Sequence, residues 1–121
     1  MSYIDGFVIA APTASRQEVI DYAARFDPMF LELGALRGGG CWVVYVPHGT
    51  VTDVHRALQA KDDETGMFSW IEWPDQATRD AGMKKMMDYP RLDPSNAPMP
   101  LDGKRMIYGG FDPFFVLDAG K

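Results

Sequence analysis

Residues 67–73 read Met-Phe-Ser-Trp-Ile-Glu-Trp and are followed by Pro74. Aromatic and β-branched residues in a run of this length, closed by a proline, predict a β-strand. Successive side chains of a strand point to opposite faces, so Phe68 and Trp70 point one way and Ile71 points the other. The run therefore predicts a strand whose two faces both carry large apolar side chains.

Three other segments have the composition of strands. They are residues 3–11, which end at Pro12, residues 36–46, which contain glycines at 38–40, and residues 105–111. β-Branched and aromatic residues are enriched in strands, and glycines at the start of a strand are typical of a bulge or a close backbone approach. The sequence therefore predicts four strands.

The first helix is predicted to follow the first strand. Ser15 and Glu18 have the spacing of a capping box, and apolar residues recur at helical intervals from there to Gly34. A proline inside a helix lacks a backbone donor and clashes with the preceding turn. We therefore expect the Asp27-Pro28 step to kink this helix or to restart it with Asp27 as the new N-cap.

The second helix is predicted to follow residues 67–73, with Asp75 as its N-cap and Pro90 beyond its end. The sequence does not decide whether residues 48–65 contain one or two helical turns, because the apolar pattern there is too short. Residues 91–103 carry three prolines among Asp, Ser and Asn, and are predicted to form an ordered surface segment, the proline-rich arm.

The predicted order of elements is βαββαβ. This order indicates an α+β protein of the ferredoxin-like class, in which two helices cover one face of an antiparallel sheet with strand order 4-1-3-2. The 121 residues have the length of a single domain, so one ferredoxin-like domain over residues 1–121 is predicted.

The strands do not alternate between apolar and polar residues, as an antiparallel sheet with one face in water does. In the first strand we place Ile4 on one face and Tyr3 and Phe7 on the other, the one away from the helices. A large exposed apolar patch usually marks an interface. We therefore predict a homodimer in which the two sheets pack face to face about a twofold axis. The alternative is that residues 113–117 or the proline-rich arm cover the second face within one chain.

Three residues are predicted to be catalytic: Asp5, Glu72 and Tyr108. With the first and third strands antiparallel, we expect Asp5 and Glu72 to be neighbours on the face away from the helices. Tyr108 is expected to lie on the same face. Two carboxylates enclosed in an apolar site raise the pKa of one of them, as in general acid and base sites. The alternative is that Arg37 or Lys104 neutralises Glu72 in an ion pair.

The two histidines, His48 and His55, lie near Asp53 in the sequence. Their spacing does not match a helical zinc motif, and no further histidine completes a catalytic zinc set. Cys41 lies in an apolar strand without a CxxC partner. We therefore predict no metal site, no cofactor and no nucleophilic cysteine.

The formal net charge of −5 argues against nucleic acid as a partner, because such binding rests largely on cationic contacts to phosphate. A single cysteine forms no internal disulfide, which fits a reducing compartment, and the cytoplasm is predicted. No segment approaches the length of an apolar membrane span, and residues 1–5 lack the pattern of a leader peptide. We therefore expect no membrane association.

Three strings make the chain similar to the YbaA-like family of conserved bacterial proteins. They are Tyr-Ile-Asp-Gly-Phe-Val at 3–8, Phe-Ser-Trp-Ile-Glu-Trp-Pro at 68–74 and Asp-Gly-Lys-Arg-Met-Ile-Tyr-Gly-Gly-Phe at 102–111. The resemblance covers nearly the whole chain and implies a ferredoxin-like subunit of the dimeric α/β-barrel superfamily. It supplies no catalytic residues to carry over.

Relatives in that superfamily include cofactor-independent monooxygenases and isomerases, with sites between sheet and helices or at the dimer seam. The resemblance therefore implies a small homodimer that binds an apolar small molecule in a cavity beside the sheet, as a cofactor-independent oxygenase or isomerase. The alternative is a non-catalytic dimer for interaction or regulation, whose proline-rich arm contacts another protein.

Overall fold

The computed structural model describes residues 2–88 and 103–120, which form four strands and four helices. The strands are β1 (Tyr3–Pro12), β2 (Arg37–Trp42), β3 (Glu64–Trp73) and β4 (Ile107–Phe111). The helices are α1 (Arg16–Phe26), α2 (Pro28–Glu32), α3 (Val54–Leu58) and α4 (Gln76–Met86). Short 3-10 turns at Thr13–Ser15 and Gly103–Arg105 precede α1 and β4.

The four strands form one antiparallel sheet in the order β2-β3-β1-β4. This is the predicted order 4-1-3-2, so the α+β architecture read from the sequence is confirmed. The helix-covered side of the sheet holds two groups of buried apolar side chains. One contains Met29, Leu33, Ala35, Ile71 and Trp73, and the other contains Ile9, Ala11, Val19 and Met67.

The faces of β1 are reversed relative to the prediction. Tyr3 and Phe7 pack against the core on the helix-covered side, in register with Trp73 and Ser69 of β3. Placing them on the face away from the helices was therefore wrong. Because both faces of these strands are apolar, the alternation of side chains alone does not indicate which face the helices cover.

The Asp27-Pro28 step separates two helices, as predicted, and α2 begins at Pro28. Gly34, with a φ of 112°, ends this helical region in a conformation that favours glycine. The capping box at Ser15 is not formed, because the Ser15 side chain makes no cap hydrogen bond. At α4 the predicted cap is confirmed, since the backbone N–H of Thr78 donates to the Asp75 carboxylate at 2.7 Å.

The predicted boundaries of β2 and β4 differ from the observed ones. β2 ends at Trp42 rather than at residue 46, and the chain then has no regular structure until α3, which begins after Asp53. β4 begins at Ile107 because the preceding residues form a 3-10 turn. The proline-rich arm lies outside the described residues except for Gly103.

The second sheet face carries the side chains of Ile4, Val8, Phe68, Trp70, Ile107 and Phe111, which we call the open face. α3 covers only its end, where Val54 and Leu58 lie against Gly66. The side chains at 114–117 are 70–97% exposed, so the prediction that residues 113–117 cover this face was wrong, while the proline-rich arm, the other segment considered, lies outside the described residues except for Gly103. Phe68, Ile107 and Phe111 stay 44–57% exposed. Within residues 2–88 and 103–120, the open face is thus an apolar surface that is covered at one end by α3.

An ion pair joins the start of β3 to the 3-10 turn before β4. The Nη1 and Nη2 atoms of Arg105 donate to the two carboxylate oxygens of Glu64 at 2.8 and 2.7 Å. These hydrogen bonds, with one from the Lys61 backbone, lower the pKa of Glu64 from 4.5 to about 2. A carboxylate with a depressed pKa in the folded state stabilises the fold above its unfolded pKa.

We therefore expect the Glu64 contribution to be fully present above about pH 4.5 and to be lost as the pH falls towards about 2. Urea unfolding measured from pH 6 downwards checks this. Glu64→Gln should be less stable at pH 6 and should show a shallower loss of stability in acid. The control Asp62→Asn, at an exposed position of the neighbouring turn, should keep the wild-type slope; equal slopes for all three proteins would contradict the prediction.

Candidate functional site

Asp5 is the one carboxylate among the described residues that is fully buried, with 1% of its surface exposed. Its Oδ2 accepts hydrogen bonds from Trp73 Nε1 at 3.0 Å and from Arg79 Nε of α4 at 3.1 Å. The hydrogen bond to Asp5 raises the pKa of Arg79. Burial of a carboxylate requires such compensation, so Asp5 fastens α4 to the sheet.

Glu72 lies on the opposite face of the sheet. It is in register with Ile4, whereas Asp5 is in register with Ile71, so the two carboxylates point to opposite sides. The prediction that they are neighbours was therefore wrong. The alternative partner is confirmed, because Arg37 Nε donates to Glu72 Oε1 at 2.7 Å.

Tyr108 lies on the helix-covered side of β4, at the edge of the sheet. It is in register with Phe7, and the two rings stack with centroids 6.3 Å apart. The structure thus brings Tyr108 and Asp5 to one side and Glu72 to the other. A catalytic role of these three residues stays a prediction.

The segment that holds both histidines is organised around Asp53. The backbone N–H and the Nε of Arg56 donate to Asp53 at 2.9 and 3.0 Å, and these contacts, the backbone hydrogen bond above all, lower the pKa of Asp53. His48 Nδ1 lies 3.5 Å from the same carboxylate, while His55 Nε2 is buried and has no hydrogen-bond partner among the residues that the structure describes. Asp53 therefore serves as the cap of α3.

Within residues 2–88 and 103–120, no three His, Cys, Asp or Glu side chains are grouped so that they could hold a metal ion. Over the same two ranges, every helix is too short or too polar to cross a membrane.

A cleft of about 430 Å³ lies between α1 and the sheet. Its walls are mostly apolar and include Phe7, Ile9, Val19, Trp42, Met67 and Ile71. The polar side chains that reach it include Arg16, Asp27 and Ser69. A volume of this size falls in the range of small-molecule sites. A second cleft of about 460 Å³ adjoins it at the β2 edge and is also lined by Asp27.

Asp27 lies where the two clefts meet. It occupies the N-cap position of α2, yet its side chain makes no capping hydrogen bond, and among the described residues no other donor is bonded to it. Asp27 as a residue is exposed at the rim, and the partial burial of its carboxyl raises the pKa of that group. Burial, and then the charge of Asp27, raise the pKa of Tyr22 on α1. A carboxyl with a raised pKa beside an apolar cleft is typical of proton-transfer sites.

Sequence reasoning assigned Asp27 to the helix break and missed its place in the cleft. The local signal, an acidic residue before Pro28 with aromatic residues on either side, was present. It predicts a cap equally well. The missing capping hydrogen bond, which leaves the carboxylate available, depends on the backbone path between α1 and α2.

The model of the DUF1428 family, described as a protein of unknown function, matches residues 2–103. The chain belongs to the DUF1428 family. The uncharacterized protein YbaA of Escherichia coli strain K12 is 48% identical over 112 residues, which cover 93% of this chain and 96% of YbaA. YbaA of Shigella flexneri matches to the same extent. The YbaA-like resemblance is thus confirmed.

The DUF1428 match includes β1, α1, α2, β2 and β3. Every described residue that lines the cleft, except Met106, lies within the matched range 2–103. The cleft therefore lies almost entirely in the part of the chain that matches the DUF1428 family.

A solved structure of a dimeric ferredoxin-like protein from an uncultured marine organism resembles this DUF1428 member, with a TM-score of 0.58. The alignment covers 98% of this chain and 100% of that chain, at 13% sequence identity. At this identity the likeness shows the fold alone, and it confirms the ferredoxin-like class.

Proposed function

We propose that this protein is a homodimer that binds an apolar small molecule in the cleft between α1 and the sheet. The observation that carries the proposal is the cleft itself, about 430 Å³ in volume and walled mainly by apolar side chains. Small-molecule sites commonly combine such walls with a few polar groups that orient the ligand.

The open face supports the homodimer. Its Phe68 and Trp70 rings stack with centroids 6.2 Å apart, and Ile107 and Phe111 extend the apolar surface across the sheet. Apolar surfaces of this kind are usually buried in interfaces. A twofold axis through the open face would bury both copies at once, and the solved ferredoxin-like protein of similar fold is itself dimeric.

Proton transfer is the chemistry that the cleft supports best. Asp5 and Glu72 are each paired with an arginine, whereas Asp27 has a raised pKa and faces the cleft. A carboxylate there accepts a proton from one position of a bound ligand and returns it to another, which is an isomerisation. In this proposal Asp27 takes the role that the sequence assigned to Asp5 and Glu72.

Filling the cleft tests the proposal. Ala23, on the α1 wall, can be replaced by tryptophan, and binding of the neutral apolar dye N-phenylnaphthylamine can be measured by fluorescence. We expect the wild type to bind the dye and Ala23→Trp to bind it at least about tenfold more weakly, because the indole occupies the apolar volume. Ala77→Trp, at an exposed position of α4, is the matched control and should bind as the wild type does.

Two results would contradict binding in the cleft: no dye binding by the wild type, or equal binding by all three proteins. Either would favour the alternative of a non-catalytic dimer. Circular dichroism of each variant checks that the fold is kept.

A further inference from the structure

The two ends of the cleft differ in charge. Arg16 is the first residue of α1, and Asp27 directly follows its last residue. With a rise of 1.5 Å per residue, their Cα atoms lie about 16 Å apart along the helix. Apolar walls separate these two residues, with the Ser69 hydroxyl on the sheet side. A molecule that fills the cleft lengthwise therefore meets a cation at one end and a carboxylate at the other.

Arg16 is available to a ligand. Its guanidinium lies 5.8 Å from the centroid of the Trp42 ring, which also lines the cleft. Among the described residues no carboxylate forms an ion pair with it, although carboxylates pair with the arginines at 37, 56, 79 and 105. A guanidinium stacked on an aromatic ring keeps its edge N–H groups free for a carboxylate.

The start of α1 adds to the positive character of this end. The 3-10 turn Thr13–Ser15 runs directly into α1, so the positive end of the helix dipole lies beside Arg16. This end of the dipole favours a negative charge beside it. The guanidinium of Arg16 and the helix end thus act on the same side of the cleft.

We propose that the cleft binds an elongated apolar carboxylic acid, whose carboxylate pairs with Arg16 and whose far end donates a hydrogen bond to Asp27. This inference rests on the proposed ligand site and specifies the class and the direction of its ligand. The hydrogen bond at the far end orients the molecule, since an apolar wall alone does not fix direction.

Three probes of equal chain length test the Arg16 end: decanoate, decanol and decylamine. Their binding is measured by displacement of N-phenylnaphthylamine from the purified protein at neutral pH. We expect decanoate to bind about tenfold more tightly than decanol and decylamine to bind most weakly, because a charge-assisted hydrogen bond is worth that factor or more. Arg16→Gln should remove the preference for decanoate. The control Arg25→Gln removes the same charge from α1 at a residue that does not line the cleft. This variant should keep the preference for decanoate.

The Asp27 end is tested with ω-hydroxydecanoate. Because of its terminal hydroxyl, we expect ω-hydroxydecanoate to bind the wild type several-fold more tightly than decanoate does. The two probes should bind the Asp27→Leu variant with equal affinity. This substitution removes no capping hydrogen bond, so the fold should be kept.

The outcomes separate the two proposals. A wild type that binds neither the dye nor any probe overturns the ligand site itself. A wild type that binds decanoate and decanol equally, with no effect of Arg16→Gln, overturns this inference and leaves the site in place. A preference for decylamine overturns the assigned direction of the ligand.

Discussion

Replacing Arg79 by alanine is expected to lower the free energy of unfolding by about 3 kcal/mol, because it leaves the buried carboxylate of Asp5 without its cation. Asp5 is 1% exposed and, among its described partners, would keep the hydrogen bond from Trp73 Nε1. Breaking a buried ion pair from one side typically costs about 3–5 kcal/mol. The lower end applies here, since the Arg79 side chain is 24% exposed.

Arg79 also donates to Asp80 at 3.2 Å, which provides a matched control. Asp80→Ala removes this exposed partner and should change stability by less than about 0.5 kcal/mol. Urea unfolding of the two variants and the wild type gives the comparison. If Arg79→Ala costs no more than Asp80→Ala, Asp5 does not depend on Arg79, and the anchoring role of the pair is refuted.

Replacing Phe68 by glutamate is expected to convert the proposed homodimer to monomers. Phe68 lies on the open face beside Trp70, where a twofold pairing of sheets would enclose its ring. A charge placed in such an interface without a partner is strongly unfavourable. The dissociation constant of the dimer should rise at least about a hundredfold, which corresponds to roughly 3 kcal/mol.

Sedimentation velocity over a range of protein concentrations measures this change. Leu31→Glu is the control, because Leu31 is exposed to a similar extent on α2 and does not belong to the open face. The control should sediment as the wild type does. A monomeric wild type, or a Phe68→Glu variant that stays dimeric, would show that the open face is not the interface.

Much of the fold could be predicted because its signals are local. The aromatic and β-branched content of β3, the Asp75 cap and the proline at the start of α2 each act within a few residues. The order of elements followed from these signals, and the strand order followed from the order of elements.

The assignment of sheet faces could not be obtained in this way. Ile4 and Phe7 are similarly apolar although they lie on opposite faces, so hydrophobicity gives no direction. Asp5 shows the consequence, because its partners Trp73 and Arg79 are 68 and 74 residues away in the sequence. The predicted pairing of Asp5 with Glu72 was wrong because Asp5 had been assigned to the face away from the helices, whereas it lies on the helix-covered face.

The glycines of β2 have a consequence for how the family can vary. A Cβ atom added at Gly39 would lie 2.4 Å from the Cη2 atom of Trp70, so the indole occupies the space of the absent side chain. The two positions therefore cannot change independently. We expect a relative with a side chain at position 39 to carry a smaller residue than tryptophan at position 70, and an alignment in which both are large would contradict this constraint.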